Sequence, residues 1–184
     1  MGRRGRTNIE RETFFFVTTS VIRRLPVFLD SDCCELLLKS IRYYQSKFLF
    51  GVLGYVIMPS HFHWIVRVDR EGGGICEIMR DIKKYAAWDI MEELELKREG
   101  AMSRVFKEEA RIYKKQSRKF WEARFDDQVI RNGAMLRTKL SYIHNNPVRG
   151  GLADKPEDYP YSSARAYMFG DHSRLVVETR WIEL

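Results

Sequence analysis

Residues 48–68, FLFGVLGYVIMPSHFHWIVRV, constrain the fold more than any other part of the chain. Two runs rich in aromatic and β-branched residues flank Met58-Pro59-Ser60, so residues 48–57 and 61–68 are expected to pair as a hairpin. Side chains alternate between the two faces of a strand. Phe62, Trp64, Val66 and Val68 therefore make a core face, with Trp64 inside it. His61, His63, Ile65 and Arg67 share the other face, which is polar enough to floor a site. His61 and His63 point the same way and can hold one metal ion together.

The remaining elements follow from periodicity. Residues 13–19 (TFFFVTT) read as a strand. Asp30 or Ser31 can cap a helix running to about Ser46, with Leu37, Leu38, Ile41, Tyr44 and Phe48 at helical spacing. Gly72-Gly73-Gly74 precede a second helix whose buried stripe is expected to be Ile75, Ile78, Met79, Ile82, Tyr85 and Ala86. Residues 102–119, rich in Lys and Arg, read as a helix or a mobile basic excursion. A fourth strand is expected near 120–130, then a helix from about Gly133 to Asn146. Residues 154–184 read as irregular structure, with SSARAYM the most helical piece. Strand-helix-strand-strand-helix-strand-helix is an α+β, ferredoxin-like split βαβ plan, an antiparallel sheet with packed helices. The chain reads as one domain over residues 1–184, with a core of about 12–167, a basic insertion at about 98–119 and a tail at 168–184.

The last long helix carries the second chemical signal. Leu136, Leu140 and Ile143 recur at helical spacing and should face the sheet. Tyr142 and Asn146, four residues apart, fall on one side of that stripe, at the flank where helix meets sheet. Pro147 is expected to stop the helix and leave Asn146 some freedom to aim its amide. Arg149, Gly150 and Gly151 follow. His144 and His172 have no evident partners and read as structural. A tyrosine and a short amide so placed can supply a nucleophile and a further metal ligand.

Charge narrows the partners. Among 184 residues, 32 Lys and Arg against 25 Asp and Glu leave a formal net charge of +7, which suits a polyanion such as nucleic acid. Arg3, Arg4, Arg6, Lys83, Lys84 and Arg149 are candidate phosphate contacts. Cys33, Cys34 and Cys76 lack metal-ligand spacing and are expected as reduced cytosolic thiols. No apolar run is long enough for a membrane span, and the basic N-terminus does not read as a signal peptide.

With these residues in view, the chain resembles the single-tyrosine HUH transposases, and within them the REP-associated tyrosine transposases. His61-Phe62-His63 fits the histidine-hydrophobic-histidine motif, and GYVIMPSHFHWIVRV resembles the signature strand pair. WEARFDDQVI, LSYIHNNPVRGGL and PEDYPYSSARAY resemble later blocks, so the likeness spans roughly residues 12–167. The resemblance implies that Tyr142 attacks DNA and becomes joined to the 5′-phosphate, leaving a free 3′-hydroxyl. It implies His61 and His63 as ligands of a divalent metal, Mg²⁺ or Mn²⁺, with Asn146 at the place where insertion-sequence relatives carry Gln. The implied substrate is single-stranded or hairpin DNA, cut and rejoined by a monomer or homodimer in the bacterial cytoplasm, associated with the nucleoid. A phenol with an ordinary pKa near 10 is a poor nucleophile, so a metal polarising the phosphate is chemically apt. The alternatives are a domesticated hairpin-binding protein that does not cleave, and a nuclease that activates water.

Overall fold

The expected hairpin forms. β2 (Gly51–Met58) and β3 (His61–Arg67) pair antiparallel with Met58 opposite His61. The structure, a computed structural model, describes residues 14–68, 74–98, 100–112 and 117–181. β1 (Phe14–Ser20) pairs antiparallel with β3 on one side and with β4 (Asp126–Val129) on the other, giving a four-stranded sheet in the order β2-β3-β1-β4. That order, with α1 (Ser31–Phe48) between β1 and β2 and α2 (Ile75–Leu96) between β3 and β4, is the split βαβ arrangement. α3 (Gly100–Ile112) follows α2, and α4 (Gly133–Arg149) follows β4.

Strand parity divides the core between two faces. Phe15 and Val17 of β1 and Phe62, Trp64 and Val66 of β3 pack with α1 and α2, and Trp64 is fully buried there. On the opposite face Phe16, Ile65, Val56 and Leu53 pack with Leu136, Leu140 and Ile143 of α4. The helix bearing Tyr142 thus lies over the strand face that carries His61 and His63.

α1 begins where Asp30 accepts a hydrogen bond from the Asp32 amide, as a capping residue should. Tyr85 departs from the expected stripe of α2. It is 45% exposed, on the rim of the stripe, while Ala87, Ile90, Met91 and Leu94 extend the buried face instead. The strand expected near 120–130 is shorter than its sequence suggests. Val21 bridges Trp121 while Thr18 pairs with Asp126, so the segment carries two residues more than β1 does across the same span and bulges out of register. The basic stretch expected at 102–119 is helical as far as Ile112, and residues 113–116 lie outside the described residues.

Pro147 does not stop α4. It sits in the last turn, buried, where its missing N–H costs one helical bond; the amides of Gly150 and Leu152 donate to the Asn146 and Pro147 carbonyls. The helix ends at Gly150 and Gly151, and Gly151 takes the left-handed φ of +66°. Asn146 is accordingly held in helix rather than freed by the proline.

Residues 161–163 run along the outer edge of β2. The Ile57 amide donates to the Tyr161 carbonyl and the Ser163 amide to the Tyr55 carbonyl, each at 2.9 Å. α5 (Ala164–Phe169) follows, formed by the ARAYM of the helical tail piece and one residue beyond it.

Gly54 lets α4 approach the sheet closely. A Cβ there would stand 2.6 Å from Cδ2 of Leu140, whose side chain is itself buried. Gly54→Ala is expected to wedge α4 away from β2 and to cost about 1–3 kcal/mol, read as a lower urea midpoint. A wild-type midpoint would show that Leu140 has room to move.

Candidate active site

β3 sets His61 and His63 two residues apart on the α4 face, with ring centroids 4.8 Å apart. Across the sheet, Thr18 of β1 lies opposite His63, and its Oγ1 is 2.7 Å from His63 Nδ1. When Nδ1 carries the proton and donates to that hydroxyl, Nε2 presents its lone pair. His63 Nε2 is buried and has no hydrogen-bond partner among the described residues. An imidazole nitrogen left dry and unmatched is unfavourable unless something else meets it, and a divalent cation fits that role. Phe16 stacks on the other side of the His63 ring at 5.6 Å and 14°, fixing its plane.

Burial, with the charge of Arg24 second, lowers His61 to about 4. Burial also dominates for His63, followed by the charges of His61, Arg24 and Lys139, and lowers it to about 3. Both rings are therefore neutral near pH 7, the form a metal ligand requires. No group of three or more His, Cys, Asp or Glu side chains among the described residues could hold an ion, so other donors would have to complete this pair.

α4 brings the phenol to the imidazoles. The Tyr142 ring lies 5.2 Å from His63 at 74° and 5.9 Å from Phe16 at 79°. Tyr142 is 37% exposed, so its ring rests on the site while its hydroxyl remains open to a substrate. All three rings come from one chain. Lys139, Tyr142, Asn146 and Arg149 lie within about 80° of one another around α4, a stripe running along the flank of the sheet. Asn146 is half-buried one turn beyond Tyr142, and Arg149 is exposed at the helix end.

The other expected phosphate contacts are not gathered here. Lys83 and Lys84 belong to α2, on the opposite face of the sheet, where they line a cavity of about 970 Å³ with Trp88, Phe120 and Trp121. Lys83 donates to the Glu122 carbonyl at 3.1 Å, and burial lowers its ammonium to about 8. Arg3, Arg4 and Arg6 lie outside the described residues. Four residues at the site were not singled out from sequence: Phe16, Thr18, Arg24 and Lys139. Lys139 was legible, because it precedes Tyr142 by three on the same helical face. Nothing local marks Thr18 or Arg24.

His144 and His172 do have partners. His144 Nε2 is 2.9 Å from Ser163 Oγ, which ties α4 to the segment on the β2 edge, and His172 Nδ1 accepts from the Val177 amide. Burial lowers His144 to about 4. Its folded value lies below the unfolded one, so the unfolded chain binds more protons between about 6.5 and 4. Stability is complete above that window and falls as pH drops through it, by up to about 1.4 kcal/mol per pH unit for each such imidazole. His61 and His63 act in the same direction. The melting temperature should fall steadily from pH 7 towards 4, and His144→Gln should flatten part of that slope.

No family model matches the chain. A Haemophilus influenzae protein provisionally named REP-associated tyrosine transposase is 35% identical over 114 residues, covering 62% of this chain and 58% of that protein. This chain is similar to REP-associated tyrosine transposases. The aligned part spans little more than half of that relative's length. A solved structure of a REP-associated tyrosine transposase bound to a REP hairpin matches with a TM-score of 0.68 at 22% identity, covering 99% of this chain and 95% of that one. The mixed α/β fold, with its antiparallel sheet and packed helices, is therefore the fold of a REP-associated tyrosine transposase. A Deinococcus radiodurans R1 protein provisionally named a transposase has a TM-score of 0.48 at 13% identity, covering 78% of this chain and 97% of that one, and supports no argument.

Proposed function

We propose that this chain is a DNA transposase of the REP-associated tyrosine type, which cuts and rejoins one DNA strand through a phosphotyrosine at Tyr142. The observation that carries this reading is the ring contact between Tyr142 and His63, an imidazole whose Nε2 is buried and unmatched. Similarity to a protein of that name and to the fold of a hairpin-bound one supports the assignment. The DNA is proposed to be single-stranded or to carry a hairpin.

Tyr142 Oη attacks the phosphorus, the phenol gives up its proton, and the bond from phosphorus to the 3′ oxygen breaks. That oxygen takes a proton and leaves as a free 3′-hydroxyl, while the 5′-phosphate becomes an ester of Tyr142. The ester conserves the energy of the original linkage, so attack by a second 3′-hydroxyl rejoins DNA without a nucleotide cofactor. His61 and His63 would hold a divalent cation, with Asn146 a candidate third ligand. Such an ion supplies Lewis-acid polarisation of the phosphate. Thr18 orients the His63 ring, and Phe16 holds its plane. Because His61, His63 and Tyr142 come from one polypeptide, the site is proposed to assemble within a single chain.

Incubation with single-stranded hairpin oligonucleotides and Mn²⁺ should give a protein–DNA species that survives a denaturing gel. Hairpin binding without that species would identify a non-cleaving binding protein. Cleaved DNA free of protein would identify water as the nucleophile.

A further inference from the structure

β1 ends at Ser20, opposite His61, and the chain then folds back beside the hairpin turn. The Val21 amide donates to the Ser60 carbonyl at 2.9 Å, and the Arg24 amide to the Val21 carbonyl at 3.1 Å. Arg23 and Arg24 both adopt left-handed backbone, with φ of 50° and 53°. Two consecutive non-glycine residues in that region are unfavourable and persist only where the surroundings enforce them, often at functional sites. Here they fold residues 21–24 back against the hairpin turn next to His61, and from that position the Arg24 charge also acts on the imidazoles. From the other direction, α4 lays Lys139 Nζ 4.5 Å from the centre of the Phe16 ring, the ring that stacks on His63 and meets Tyr142 edge-on.

Two cations from separate elements thus border the imidazole pair, and Lys139 also stands one helical turn before the phenol. Among the described residues neither Arg24 nor Lys139 forms an ion pair, and the nearest carboxylate by strand register, Asp126 on β4, lies beyond Thr18 at the exposed sheet edge. With no ion pair among the described residues to neutralise either cation, an anion is what would complete them.

We propose that Arg24 and Lys139 form a phosphate seat on either side of His61 and His63, holding the DNA phosphate presented to Tyr142. This deepens the reading of the chain as a DNA-cutting enzyme and rests on it. The guanidinium and the ammonium would grip the non-bridging oxygens and oppose the charge that grows on them as Tyr142 attacks.

Salt titration of binding to a labelled oligothymidylate counts phosphate contacts without needing cleavage or a known recognition sequence. Arg24→Gln and Lys139→Gln should each reduce the slope of log affinity against log salt by about 0.7, and the double variant by about 1.4. Arg24→Lys and Lys139→Arg, which keep the charge, should retain the slope, and Arg104→Gln on α3 should not alter it. At saturating hairpin DNA, Lys139→Gln should also slow adduct formation by about 10-fold to 100-fold. A wild type that does not bind the oligonucleotide, or slopes unchanged in both Gln variants, overturns the seat. A lowered slope with an unaltered adduct rate also overturns it, because the cations would then hold some other phosphate. If the slope falls as expected but the wild type forms no adduct with any metal, the phosphate seat stands and the cleavage chemistry fails.

Discussion

Tyr142→Phe is expected to bind hairpin DNA within about twofold of the wild type while its covalent adduct falls by at least about 10⁴-fold. The substitution removes only the hydroxyl. The ring that rests on His63 and Phe16 is kept, so the packing of α4 is not disturbed. Tyr142 is 37% exposed, so losing its hydroxyl leaves no buried polar group unmatched, and stability should stay within about 0.5 kcal/mol. An adduct of undiminished yield in the phenylalanine variant would place the nucleophile elsewhere, and the contact with His63 would then be packing alone.

His63→Ala should be nearly as damaging to chemistry, and for a separable reason. It deletes the buried nitrogen that lacks a partner, so Mn²⁺ affinity measured by calorimetry should fall by more than about 100-fold, since even the groups that orient a metal ligand are worth about 10-fold to 100-fold. Adduct formation should fall with it, while phenol and fold persist. The variant also empties a space beside Phe16 in a position that is 5% exposed, so a loss of about 1–3 kcal/mol accompanies the change and is read independently by urea unfolding. An unchanged Mn²⁺ isotherm would move the ion away from the imidazole pair.

The framework was legible because its signals are local and periodic. Alternation along β3 separated Trp64 from His63, and the spacing of Leu136, Leu140 and Ile143 turned the α4 flank with Tyr142 towards the site. What was misread depended on pairing or on tertiary closure. Pro147 read as a helix stop, but one lost bond in a last turn is tolerated where the ring is buried and later amides take the free carbonyls. The strand near 120–130 was overextended, because composition does not reveal two surplus residues bulging out of register. Charge counting found Lys83 and Lys84 but could not tell which face of the sheet α2 would occupy. Arg24 was hidden for a different reason. Its place beside His61 is set by left-handed backbone at two arginines, a conformation for which arginine has no preference.

The tail segment along β2 has a consequence for how the molecule behaves in company. β2 is apolar and buried throughout, and as the outermost strand it would otherwise offer bare amides and carbonyls to any passing chain. Tyr161 and Ser163 occupy those groups from within the same molecule. A truncation that removed residues 161–163 would uncover a sticky template, and self-association into polymers, rather than a simple loss of activity, would be its first symptom.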